Sequence, residues 1–196
     1  MIIVYAVAQR IVWLVTFICS RFFGSFKIMG QENLKNLPRP LMIISNHQGF
    51  FDPLIIGTLF PFFSHYLPIT FMVDDRYYKN IFLRPFFILT QTFPSYYGQG
   101  LAVSLRKPRQ VLQSKGVFLI FPTGERHNSG SLPRPKRGAA VLALEIPELT
   151  ILPVYIKLDQ GTQIIVGRAF KLNKITPSQE VETVSQLLAE KIYNLN

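Results

Sequence analysis

The segment Ser45-Asn46-His47-Gln48-Gly49-Phe50-Phe51-Asp52-Pro53 sets an imidazole and a carboxylate five positions apart, directly after the apolar run 41–44. A histidine titrates near neutral pH, and a carboxylate that holds its ring fixes the tautomer and stabilises the charged form, so such a pair is equipped to take a proton from an alcohol. Equally, Asp52 stands before Pro53 and a second apolar run, where its carboxylate can do no more than cap a helix while His47 fills a polar loop. In either case the pair sits where a strand gives way to a helix.

Short β-rich runs alternate with longer helical stretches from residue 41 onward. The pattern predicts strands at 41–45, 69–73, 117–121, 151–157 and 163–166, and helices at 53–63, 77–90, 100–114 with a break near Pro108, 137–145 and 177–193. This is an α/β alternation, and 196 residues suffice for a single domain with a mixed β-sheet flanked by helices. The last helix has the strongest local signals: Thr176 as cap, Pro177 in the first turn, Gln179 at capping-box spacing, and a stripe of Val181, Val184, Leu187, Leu188 and Ile192 assigned to the core. The cluster Leu59-Phe60-Pro61-Phe62-Phe63 is assigned to the core as well.

Hydrophobic residues make up 48% of the chain, with 17 Phe, against 16% charged. That is greasy for a soluble protein yet lacks repeated long apolar spans, which points to a membrane surface. The net charge of +10 calls for acidic partners: anionic lipid head groups, phosphorylated small molecules, an acidic carrier protein or nucleic acid. The basic residues are dispersed and no nucleic-acid-binding motif accompanies them, so no nucleic acid is expected. Cys19 is the single cysteine, and His47, His65 and His127 are not spaced like a zinc site, so no metal is expected either. Between Arg10 and Arg21 the chain is apolar for about half the ~20 residues that a spanning helix requires. We expect residues 1–24 to form an N-terminal interfacial membrane helix, with Trp13, Phe17, Phe22 and Phe23 in the head-group boundary and the arginines reaching phosphates, ahead of a catalytic domain at 25–196. A core helix and a tilted span that includes residues 2–9 are the alternatives.

Four blocks then fall into an order. Asn46-His47-Gln48-Gly49-Phe50-Phe51-Asp52 matches an N-H-x4-D motif. Phe121-Pro122-Thr123-Gly124-Glu125-Arg126 corresponds to F-P-E-G-T-R with the acid and the threonine exchanged. Lys136-Arg137-Gly138-Ala139-Ala140 is a basic-Gly-Ala segment, and Leu152-Pro153-Val154 a hydrophobic-proline motif. Over residues 40–156 their order and spacing resemble the glycerophospholipid acyltransferase family, in its 1-acylglycerol-3-phosphate acyltransferase branch. The second family motif is weaker: in Thr92-Phe93-Pro94-Ser95-Tyr96-Tyr97 the family's glycine is replaced by Thr92 and its arginine by Tyr97.

The resemblance implies acyl transfer from an acyl thioester, acyl-CoA or acyl-carrier protein, to the hydroxyl of a lysophospholipid, 1-acylglycerol-3-phosphate in the simplest case, with no metal, cofactor or covalent acyl-enzyme. It makes His47 the base and Asp52 its orienting partner. It places Asn46, Gly49, Thr123, Gly124, Glu125 and Arg126 at the substrate, with Arg126 reading a phosphate bidentately and Gly124 letting the backbone approach. Backbone N–H groups around Gly49 and Phe50 are free to face an oxyanion, unless Gly49 serves only the turn. Whether Thr123 or Glu125 takes the family glutamate's place stays open. Lys136 and Arg137 can assist, and Arg106, Lys107 and Arg109 can stand in for the missing arginine. Phe121 and Pro122 set the strand's exit, and Pro153 is placed at a strand end or edge. The implied setting is the cytoplasmic face of a bacterial inner membrane or its equivalent. The alternatives are the same chemistry on another lysolipid or glycolipid acceptor, and a catalytically silent lipid-binding protein.

Overall fold

The computed structural model describes residues 2–22, 26–96, 98–126, 133–159, 161–172 and 181–196, with side chains of the first helix described for 7–19. Seven strands form one sheet: β1 (Phe26–Met29), β2 (Leu41–Ser45), β3 (Ile69–Asp74), β4 (Thr92–Ser95), β5 (Val117–Ile120), β6 (Thr150–Leu158) and β7 (Thr162–Val166). Their order is β1-β7-β6-β2-β5-β3-β4. All neighbours pair in parallel except β6 and β7, so the sheet is mixed. β2 lies at its centre with all five residues buried, which is why 41–44 reads as an unbroken apolar run: Leu41 and Ile43 feed the core on one face while Met42 and Ile44 feed the other.

Eight α-helices complete the described residues: α1 (Ile2–Phe22), α2 (Asp52–Gly57), α3 (Asp75–Lys79), α4 (Arg84–Leu89), α5 (Leu101–Ser104), α6 (Arg106–Gln113), α7 (Gly138–Glu145) and α8 (Val181–Tyr193). Leu112 of α6, Ala140 and Leu142 of α7 and Val184, Leu188 and Ile192 of α8 close one face of the sheet; Ile56 of α2 with Leu59 and Phe60 closes the other.

Several expectations change. β1 and β4 were not read as strands, because four residues with at most one fully buried position carry too little alternation to register. The single helix expected at 77–90 is two, since Asn80 turns extended and Pro85 restarts the helix in the first turn of α4. The break in 100–114 falls at Leu105, not Pro108, which sits in the first turn of α6, where its missing N–H forfeits no helical bond. Pro153 is inside β6, opposite Ile44 of the central strand; it is tolerated because the β7 ladder starts one residue later, at Val154. Leu187 lies at the exposed margin of the α8 stripe, and Phe63 is 90% exposed although Leu59 and Phe60 are buried. The capping signals Thr176, Pro177 and Gln179 lie outside the described residues.

α1 docks on the domain through polar side chains. The Gln9 amide donates to the carbonyls of Ile69 (2.6 Å) and Thr90 (2.9 Å) and accepts the Ile69 N–H (2.6 Å). Arg10 donates to the carbonyls of Phe62 and Ser64, and Trp13 meets the Phe62 ring edge-on. Arg10 and Trp13 therefore face the protein and not a head-group layer. The exposed face carries Val7, Ile11, Leu14, Val15 and Ile18. Phe23 and the side chains of Arg21 and Phe22 lie outside the described residues. Among the described residues no helix is long and apolar enough to cross a membrane.

Candidate active site

β2 and β5 are paired neighbours, and the chain leaves β2 toward β3 on one side and β5 toward β6 on the other. The carboxyl ends of these strands flank the topological switch point where open α/β sheets bind ligands. The loop after β2 is pinned to β6 by amide side chains that imitate a peptide. Asn46 donates to the Ile156 carbonyl and accepts its N–H, each at 2.7 Å, and Gln48 accepts the Leu158 N–H at 3.1 Å. Between these two anchors His47 stacks on Phe121, the first residue beyond β5, with ring centroids 4.1 Å apart.

Asp52 opens α2 and is fully buried. Its Oδ2 accepts three hydrogen bonds: His47 Nδ1–H at 2.7 Å, Gln48 N–H at 2.7 Å and Gly49 N–H at 2.9 Å. An oxygen already facing two backbone donors is an acceptor, so it draws the imidazole proton to Nδ1 and leaves Nε2 as the basic nitrogen. The His47 side chain is 18% exposed and lines a cavity of about 900 Å³. The Asp52 carboxylate does not cap α2, whose N-cap is Phe51 without a side-chain bond; it turns back to the loop that carries His47.

Three expected substrate contacts take other places. Both polar atoms of the Asn46 side chain are spent on Ile156, and the residue is buried off the cavity wall. The Gly49 N–H is not free for an oxyanion because Asp52 takes it. The site is also tight: a Cβ would stand 3.2 Å from Asp52 Oδ1, so that side chain would have to give by a few tenths of an ångström. Phe50 N–H takes no partner among the described residues. Thr123 is buried and bonds the Glu125 carbonyl at 3.0 Å, bracing its own loop, so Glu125 is the one of the two that lines the cavity.

The loop after β5 is a tight turn, closed by Gly124 N–H to the Phe121 carbonyl at 2.9 Å and by Lys136 N–H to the Pro122 carbonyl at 2.7 Å. Gly124 has φ 68°, and a Cβ there would strike Lys136 at 2.8 Å. Lys136 Nζ meets Glu125 Oε1 at 3.1 Å. The Arg126 guanidinium lies 5.7 Å over the Phe50 ring and has no carboxylate partner among the described residues. Gly124, Glu125, Arg126 and Lys136 all line the cavity. The other basic candidates do not: Arg137 turns to Glu182 of α8, Arg109 pairs with Glu145 of α7, and Arg106 and Lys107 are exposed off the wall. Tyr97 lies outside the described residues, while its neighbours Ser95 and Tyr96 are on the wall.

A family model described as Acyltransferase matches residues 25–157, more than half of the chain. The chain belongs to the acyltransferase family. Among solved structures, this acyltransferase aligns with the 1-acyl-sn-glycerophosphate (LPA) acyltransferase PlsC from Thermotoga maritima at TM-score 0.70 and 17% identity, over 95% of this chain and 76% of that one. At that identity the likeness shows a shared fold. No curated protein matches the chain in sequence.

Sequence reasoning missed the residues that β3 brings to the same cavity. Asp74 ends β3 and accepts from the Arg76 backbone N–H at 2.9 Å, from Nε at 3.1 and 3.3 Å through its two oxygens, and from Nη2 at 2.8 Å. These bonds hold its carboxyl down at about 2. Asp74, Arg76 and Tyr77 all line the wall. The available signal was positional: a charged triplet at the carboxyl end of a strand neighbouring β5 belongs to the same edge as His47.

Proposed function

We propose that this acyltransferase moves a fatty acyl group from a thioester, acyl-CoA or acyl-carrier protein, to the free hydroxyl of a lysophospholipid, with 1-acylglycerol-3-phosphate as acceptor and phosphatidic acid as product. The observation that carries this reading is the 2.7 Å bond from His47 Nδ1 to the buried Asp52, made at the wall of a cavity of about 900 Å³ that also presents Arg126 without a carboxylate partner among the described residues.

In this mechanism His47 Nε2 takes the acceptor's hydroxyl proton as its oxygen attacks the thioester carbonyl. Asp52 holds the ring and offsets the imidazolium charge. Collapse of the tetrahedral intermediate breaks the carbon–sulfur bond, and the departing thiolate recovers the proton from Nε2. The Phe50 N–H is the backbone donor left over near the developing oxyanion. Leu54, Phe71, Phe87 and Leu105 give the cavity an apolar lining suited to a lipid chain, and its volume is that of ligand-binding clefts generally. Arg126 offers a planar fork to the acceptor's phosphate.

The enzyme works at a membrane, on the cytoplasmic face. The support is the apolar outer face of α1 together with Phe63 and Phe82, 90% and 88% exposed, and Lys79 and Arg84 flanking Ile81 and Phe82. His47→Ala should lower thiol release from a saturating acyl thioester by roughly 10²- to 10⁴-fold with the fold intact. Near-normal turnover would remove His47 from the chemistry. Ile11→Asp with Val15→Asp should lower sedimentation with anionic liposomes, and unchanged binding would remove α1 from the membrane.

A further inference from the structure

Among the described residues the cavity wall contains three basic side chains besides His47: Arg126, Lys136 and Arg76. Lys136 is spent on Glu125 in the loop that carries Arg126, so those two stand on the β5 side of the mouth. Arg76 comes from the opposite side, on α3 beyond β3. It is brought to the same mouth by aromatic contacts: its neighbour Tyr77 meets Phe50 edge-on at 5.8 Å, and the other partner of the Phe50 ring is the Arg126 guanidinium at 5.7 Å. Arg126 and the residue following Arg76 therefore lean on one ring.

An exposed arginine is ordinarily a mobile one. Here the side chain, 84% exposed, is tethered through Nε and Nη2 by the single carboxylate of Asp74, which also takes its backbone N–H, so the guanidinium plane is set while Nη1 is left over. A local pair of this kind contributes little to stability in water. What it does accomplish is to present a planar cation over the cavity with its rotamer freedom already reduced. On that half of the wall, among the described residues, Ser95 and Tyr96 at the end of β4 are neutral, Asp74 is the anion already committed to Arg76, and Arg76 is the cation.

We propose that Arg76 is a specificity-determining residue for the acceptor: it binds the phosphate head group from the β3 side, opposite Arg126, with Asp74 as its positioning residue. This rests on the phosphorylated acceptor put forward above. The two guanidinium groups then clamp the head group across Phe50, leaving the glycerol hydroxyl to His47.

The test compares 1-acylglycerol-3-phosphate with the monoacylglycerol of the same chain as acceptors, for wild type, Arg76→Gln, Arg76→Lys and Asp74→Asn. Circular dichroism and melting check the fold. Arg76→Gln should raise KM for the phosphorylated acceptor by about tenfold or more, as for loss of one charge-assisted contact, with kcat within about twofold and no change for the monoacylglycerol. Arg76→Lys should recover part of the loss, and Asp74→Asn should raise KM with the arginine still in place. If wild type prefers the phosphorylated acceptor and Arg76→Gln keeps the same KM, the assignment of Arg76 is overturned while the proposed reaction stands. If wild type does not distinguish the two acceptors, the phosphorylated acceptor itself falls, and the head-group role of Arg76 falls with it.

Discussion

Replacing Asp52 by Asn separates charge from geometry in the candidate dyad. The Oδ2 position faces two backbone N–H donors as well as the imidazole, so the amide must keep its oxygen there, and His47 stays in the Nδ1–H tautomer with Nε2 basic. What disappears is the negative charge opposite the imidazolium. Two unit charges about 4 Å apart attract by about 4 kcal/mol at the effective dielectric of about 20 that suits a partly buried pair. At about 1.4 kcal/mol per decade that corresponds to roughly 10³ in rate for a fully formed imidazolium, and to roughly 10² to 10³ for one partly formed. Stability falls as well. Three charge-assisted hydrogen bonds become neutral at about 1 kcal/mol each, and the new NH₂ group occupies the site of Oδ1, a buried atom with no partner among the described residues. About 3 kcal/mol in a chain of this length lowers Tm by roughly 6 to 12 °C. The assay is thiol release under saturating thioester and acceptor, with a melting curve on the same preparation. A variant with kcat within about threefold of wild type, or with unchanged Tm, would refute the reasoning.

Asn46→Ala should leave Ile156 N–H and C=O unpaired in a buried strand and cost about 2 to 4 kcal/mol in denaturant titration, with kcat reduced and the acceptor KM unchanged; a raised KM with normal stability would return Asn46 to the substrate. Gln9→Leu removes the three bonds that hold α1 to Ile69 and Thr90 and should lower stability by about 3 kcal/mol, read by thermal melting, without weakening liposome binding. The Asp74 carboxyl is held at about 2 against an ordinary 3.8, so its stabilising pairing with Arg76 is complete above about pH 3.8 and is lost as pH falls toward 2. The carboxylate is more than a third exposed, so the difference in stability between wild type and Asp74→Asn should stay below about 1 kcal/mol and shrink through that window; a difference that does not change between pH 5 and pH 2 would contradict the pairing.

The amino-acid order alone was enough for the α/β class, the five more buried strands and the His47 and Asp52 pair, because each depends on interactions within a few residues. A run buried on both faces must be apolar throughout, and a carboxylate at the start of a helix meets the loop just before it. The same locality explains what was misassigned. Asn46 and Thr123 are polar residues inside motifs, and nothing nearby in the chain reveals that one is bonded 110 positions away to Ile156 while the other braces its own turn. The two faces of α1 could not be told apart either, since Gln9 and Trp13 find their partners at Ile69 and Phe62. Tertiary structure alone decided which cations share the cavity. Arg106, Lys107 and Arg109 were the cations expected to replace the missing arginine, but strand order carries Arg76, just past the end of β3, to the edge where β2 and β5 finish and turns α6 away from it. Charge is a property of residue type, whereas convergence of charges is set by which strands the sheet places side by side.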